Sequence, residues 1–106
     1  KLRTEKMQEG LKKAINIPLS VMRISDTCWE SMIEMAKHGN IASKSDLEVG
    51  AKSLETGIWG AFKNVEINLP TITDEKYKKE ILDEANSILE NAATNFQKVC
   101  NELAKR

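Results

Sequence analysis

Little in this 106-residue chain would break a helix: it holds two prolines and five glycines. It is equally poor in residues that build metal or redox centres. Cys28 and Cys100 lie 72 positions apart and His38 is the only histidine, so neither zinc-ligand spacing nor a Cys-x-x-Cys pair is present. Two reduced thiols and a cytoplasmic location are expected, because unpaired cysteines persist in reducing compartments. An excess of one charge is missing as well, since 16 basic and 16 acidic residues balance to zero. Without a basic footprint for phosphate, nucleic acid is not an expected partner. No apolar run approaches the ~20 residues of a membrane span, and no charged-then-apolar leader opens the chain. The chain opens on Lys1 and not on methionine, which is compatible with a processed or excised piece.

What the chain has in abundance is helical periodicity. From about Thr4 to Lys37, the apolar residues Leu11, Ile15, Leu19, Met22, Trp29, Ile33 and Ala36 recur mostly three or four apart, the signature of a buried helix face. Pro18 predicts a kink or a split near "NIP", because proline removes a ladder hydrogen bond and crowds the preceding turn. "KHGN" predicts a stop in which glycine supplies a left-handed turn and basic groups meet the negative helix end. His38 then reads as a C-terminal capping residue, with a catalytic histidine as the alternative. Ser45 and Glu48 have the spacing of a capping box, and Asp46 falls in the positively polarised first turn. This middle helix is expected to end at "NLP". Thr73, Asp74 and Glu75 begin a last helix with the stripe Tyr77, Ile81, Ala85, Ile88, Ala92, Phe96, Val99 and Leu103. Its length is about 46 Å at 1.5 Å per residue, against a radius of gyration of ~13 Å for a compact domain of this size. The expected fold is all-α: a long-helix bundle fragment of about three helices in an open layer, completed by other helices and by oligomerisation.

The stretch "SDLEVGAKSLETGIWGAFKNVEIN", residues 45–68, holds three of the five glycines, although each glycine inside a helix costs roughly 1 kcal/mol relative to alanine. At ~100° per residue it sorts into three faces. Leu47, Ala51, Leu54, Ile58, Phe62, Val65 and Leu69 form an apolar stripe. Glu48, Lys52, Glu55, Lys63 and Glu66 form a charged side, on which Trp59 stands out as a partly exposed residue or a subunit contact. The third face gathers Asp46, Gly50, Ser53, Gly57, Gly60, Asn64 and Asn68 within an arc of roughly 80°. Two arrangements suit it. One is a tight helix crossing in which the backbones touch; the other is a trough in which a flat polar ligand lies on the glycines and is oriented by the polar side chains. Periodicity does not separate them.

The same residues carry a resemblance. "GNIASKSDLEVGAKSLETGIWGAFKNVEINL", with "MQEGLKKAINIPLSVM" before it and "ITDEKYKKEILDEA" after it, resembles the cyclodeaminase family over nearly the whole chain. The wording is closest to the cyclodeaminase domain of animal-type bifunctional formimidoyltransferase-cyclodeaminases, and single-domain methenyltetrahydrofolate cyclohydrolases share the framework. Residues 1–106 are similar to the C-terminal half of such a domain. The glycine- and alanine-rich helix and the Asp-x-Asp-Ala-like stretch of its first half have no counterpart here.

The resemblance implies folate chemistry: 5-formimidoyltetrahydrofolate cyclises to 5,10-methenyltetrahydrofolate and ammonia is released, in one-carbon metabolism and histidine degradation. No metal and no cofactor besides the tetrahydrofolate substrate, with or without a polyglutamate tail, is implied. By position Asn40, Ser45, Asp46, Asn64 and Asn68 match the family's polar motif, and Gly57 is placed with the substrate-binding residues. Asp46 is the candidate catalytic residue, as electrostatic partner of the cationic amidine or as the group that recognises the pterin's N–H donors. Asn64 and Asn68 would orient the ligand or an opposing helix, and Ser45 is either a ligand contact or a cap. The proton donor for the leaving ammonia is expected in the other half of the domain. The family assembles as dimers and larger rings. The alternatives are a cyclohydrolase, or, outside enzymology, a noncatalytic oligomerisation module or inactive fragment.

Overall fold

The computed structural model describes residues 1–106. Helix α1 (Leu2–Asp26) is followed by α2 (Trp29–His38), a 3₁₀ turn (Ile41–Ser43), α3 (Lys44–Asn68), a second 3₁₀ turn (Leu69–Thr71) and α4 (Glu75–Ala104). The fold is all-α, as the periodicity requires. Helix α1 packs on both α3 and α4, and α2 continues the row against the same two helices. The result is a rod of 61 × 18 × 17 Å with a radius of gyration of 17.2 Å. Its two nearly equal widths correct the expectation of an open layer: three rows close around one core.

That core is a single cluster, in which Ile15, Leu19 and Met22 of α1 meet Ile58, Phe62 and Val65 of α3 and Ile81, Val99 and Leu103 of α4. The same cluster explains why α1 does not split at Pro18. Proline costs about 3 kcal/mol inside a helix, but Ile15, Leu19 and Met22 on either side of it are fully buried, and their burial offsets that cost. The break falls instead at Thr27 and Cys28, where the Thr27 hydroxyl donates to the Ile24 carbonyl at 2.6 Å and the chain re-enters a helix with Trp29 buried.

A second correction concerns the end of α2. Gly39 is extended, with φ −71° and ψ 173°, and not left-handed. Glycine is needed there for a different reason: a Cβ would lie 2.5 Å from the Met35 carbonyl oxygen, the same oxygen that accepts the Gly39 N–H at 2.7 Å. His38 ends α2 exposed, its ring 3.8 Å from the Glu34 carboxylate, while Gly39 takes the cap position.

Asp74 caps α4 by accepting the Tyr77 N–H at 3.1 Å and takes a 3.0 Å bond from Lys12 of α1. The Tyr77 N–H, and after it the Lys12 ammonium, hold its carboxyl below the ordinary value. A depressed folded-state value means that this cap contributes stability above the unfolded aspartate range of about 4 and loses it as pH falls through the folded value. Asp74→Ala is therefore expected to lower the thermal midpoint at pH 7, with the gap from wild type closing as pH falls below that range. Circular dichroism melts at several pH values measure it, and a gap that persisted in acid would show that charge plays no part in the cap.

Candidate functional site

Helix α3 presents its three faces as the sequence sorts them. Ala51, Ile58, Phe62, Val65 and Leu69 are buried and Leu47 and Leu54 half-buried, which turns the glycine face outward. A Cβ built on Gly57 or Gly60 meets nothing within 4 Å, and one on Gly50 meets only the Met32 methyl at 3.4 Å. Within this chain, then, Gly57 and Gly60 serve no helix crossing.

Beside them runs a groove of about 580 Å³, with Ala14, Ile17, Pro18 and Val21 of α1 on one side and Gly57, Gly60, Ala61, Asn64 and Asn68 of α3 on the other. One wall is apolar and the other carries amides. The Asn68 amide donates to the Asn64 carbonyl at 2.7 Å, and the Thr71 hydroxyl donates to the Asn68 carbonyl at 2.7 Å, so this end of α3 is closed by side chains and the 3₁₀ turn.

A second hollow, of about 350 Å³, lies at the opposite end of α3 and includes Asn40, Lys44, Asp46 and Arg106. Asn40 is committed to a local task, its side-chain oxygen accepting the Ala42 N–H at 2.9 Å. Arg106 donates to the Ala36 carbonyl at 3.2 Å and to the Gly39 carbonyl, tying the end of α4 to the end of α2. Asp46 is exposed in the first turn of α3, where the helix dipole favours an anion.

The predicted residues are therefore divided. Gly57, Asn64 and Asn68 share the groove, and Asn40 and Asp46 share the hollow. Asp46 and Asn68 are 22 residues apart on one helix, about 33 Å at 1.5 Å per residue. Ser45 lines neither space. It also forms no capping box, because α3 starts at Lys44 with Ser43 in the cap position and no side-chain cap bond. The 3₁₀ turn capped by Asn40 leads straight into the helix and moves its start ahead of Ser45.

Sequence reasoning missed the far wall of the groove. Met7, Gly10, Ala14, Ile17, Val21 and Ile24 repeat at steps of three and four, a second stripe beside the core-facing one. Ile17 and Ile24 are 70% and 68% exposed, so α1 is apolar on two faces. The signal was legible, but a single core stripe satisfied the helix assignment. Trp59 is 51% exposed, with the Lys63 ammonium 5.7 Å from its ring centre. Both cysteines are free thiols, and burial pushes the Cys100 thiol up. No three His, Cys, Asp or Glu side chains are grouped to hold a metal ion, and no helix is long and apolar enough to cross a membrane.

Residues 1–87 match the family model described as formiminotransferase-cyclodeaminase. The formimidoyltransferase-cyclodeaminase of Dictyostelium discoideum is 56% identical over 94% of this chain, and that of Gallus gallus 45% identical over 94%. The chain spans about a fifth of the length of these relatives, 19% and 18% respectively. A methenyltetrahydrofolate cyclohydrolase of Methylorubrum extorquens is 29% identical over 92% of this chain and 47% of its own length.

Proposed function

The chain belongs to the formiminotransferase-cyclodeaminase family, and from that premise we propose that it supplies part of the site at which 5-formimidoyltetrahydrofolate is cyclised to 5,10-methenyltetrahydrofolate. In that reaction the folate nitrogen at position 10 attacks the amidine carbon. A C–N bond forms as that nitrogen gives up its proton to a base, and the tetrahedral aminal, its amino group protonated in turn, expels ammonia with the electron pair of the breaking C–N bond. Substrate amidinium and methenyl product are both cations, so a fixed carboxylate favours the charged species along the path. Asp46 takes this role. Asn64 and Asn68 hold the folate's polar edges, which keeps the two nitrogens within attacking distance of one carbon. The proton for the leaving amine comes from a group outside these 106 residues.

The observation that carries the proposal is the spacing on the outer face of α3. Asp46 and Asn68 are each eleven residues from Gly57, whose Cβ direction is open. At about 33 Å apart they do not serve one reacting centre within a single chain. A second copy crossing antiparallel at Gly57 sets Asp46 of one chain opposite Asn68 of the partner subunit, and it does so twice, as a two-fold axis demands. Gly57 and Gly60 admit the close backbone approach, and the exposed Ile17, Val21 and Ile24 of α1 flank it. In this reading the protein is a cytosolic homo-oligomer whose folate sites lie at both ends of a helical seam.

Complementation tests this arrangement in the intact, full-length enzyme. Asp46→Asn and Asn68→Ala variants, each slow alone, are expected to regain turnover when co-expressed, because a mixed pair holds one site with both residues native. Methenyl absorbance reads the result. Mixed pairs as slow as their parents would place Asp46 and Asn68 in separate roles. The likeness to a cyclohydrolase favours a second reading, in which the same site adds water to the methenyl carbon; turnover of the methenyl compound with none of the formimidoyl compound would select it.

A further inference from the structure

An unbroken series of hydrogen bonds leads from the first turns of α1 to the amides of the groove. The Gln8 side chain grips the loop before α4 with both ends of its amide. Its Nε2 donates to the Thr71 carbonyl at 3.0 Å, and its Oε1 accepts the Thr73 N–H at 3.0 Å. Thr71 passes the constraint on, its hydroxyl donating to the Asn68 carbonyl at 2.7 Å. Asn68 in turn donates its side-chain amide to the Asn64 carbonyl at 2.7 Å. One helical turn beyond Gln8, Lys12 binds Asp74 at 3.0 Å, and its carbonyl accepts the Tyr77 hydroxyl at 3.4 Å.

Gln8 lies more than sixty positions from the loop it holds, and nothing in the pattern of apolar residues marks it. A glutamine amide is one of the few side chains that offers a donor and an acceptor side by side, so it closes on a peptide backbone as another strand would. Removing it leaves the Thr71 carbonyl and the Thr73 N–H to water. The 3₁₀ turn then keeps the burial of Leu69 and the neighbouring Lys12–Asp74 bond, but the Asn68 carbonyl loses a donor with a fixed position.

We propose that Gln8 is a positioning residue for the folate-orienting amides: by holding Thr71 it fixes Asn68, and through Asn68 the end of α3 on which Asn64 sits. This rests on the reading of Asn64 and Asn68 as substrate contacts. Gln8 touches no substrate and acts through the loop.

The test uses the intact enzyme and two variants. Gln8→Ala is expected to raise KM for 5-formimidoyltetrahydrofolate roughly tenfold with kcat within about twofold, the mark of lost ground-state and transition-state binding alike, and to speed hydrogen exchange at the Thr73 amide. Gln8→Glu keeps an acceptor for the Thr73 N–H but faces the Thr71 carbonyl with another acceptor. It is therefore expected to keep Thr73 protected and still to raise KM, a split that a merely structural clasp does not produce. Should Gln8→Ala fail to fold, Gln8→Glu decides alone. An unchanged KM in Gln8→Glu overturns the proposal, as does a loss confined to kcat. Wild-type enzyme that does not turn over the folate overturns the functional reading and the role of Gln8 with it, whereas active wild type with unaffected variants overturns the role of Gln8 alone.

Discussion

Asp46→Asn in the full-length enzyme is expected to slow methenyl formation roughly 100-fold, within the range found when one electrostatic partner of a transition state is removed. The substitution keeps size and shape, removes the charge and replaces one acceptor oxygen with an N–H donor. Asp46 is exposed and pairs with no cation that its loss would strand, so the thermal midpoint should move little; the first-turn dipole loses one favourable anion, a minor effect in water. The variant should fall in kcat more than it rises in KM if the carboxylate acts on the developing cation, and mainly rise in KM if it recognises the pterin. Unchanged turnover would remove Asp46 from the mechanism.

Gly57 gives effects of opposite sign in two settings. In the monomeric 106-residue chain, Gly57→Ala should stabilise the fold by about 1 kcal/mol, an upward shift of about 4–8 °C in the thermal midpoint for a domain near this size. The added methyl meets nothing within 4 Å, so no steric penalty opposes the gain in helix propensity. In the full-length enzyme, Gly57→Leu should cut turnover roughly 100-fold and weaken self-association, because a large side chain at the centre of an interface acts on every contact around it. Sedimentation and the methenyl assay read the two effects together. A Gly57→Leu enzyme that stayed associated and active would show that nothing approaches this face closely.

Most of the fold was legible because it depends on quantities that a sequence displays directly. The stripes of α3 and α4 predict their own burial: Leu47 to Leu69 and Tyr77 to Leu103 all face the core wholly or in part. Pro70 ends α3 at Asn68, and Asp74 caps α4. Pro18 misled because its local cost is fixed while the burial that offsets it belongs to residues of other helices. Thr27 and Cys28 carry no breaker, and the chain turns there so that Trp29 can enter the core. At the site, sorting by angle recovered the polar face of α3 but discarded distance along the axis. Asp46 and Asn68 share a direction and are still about 33 Å apart. Gln8 was invisible for another reason, since its partners are backbone atoms, which have no sequence signature.

The rod has a cross-section of only 18 × 17 Å, and this sets how damage spreads through it. Buried side chains from the three rows stack in thin layers along the axis, so each is supported by its own layer and by the layers before and after it. A globule routes around a defect in three dimensions, whereas a column of thin layers has few side chains at any level to lean on. Truncating Ile58 near the middle would divide the column into two short stacks, each open at the cut, while truncating Leu103 would only shorten it. In such a body, the place of a residue along the axis matters as much as how deeply it is buried.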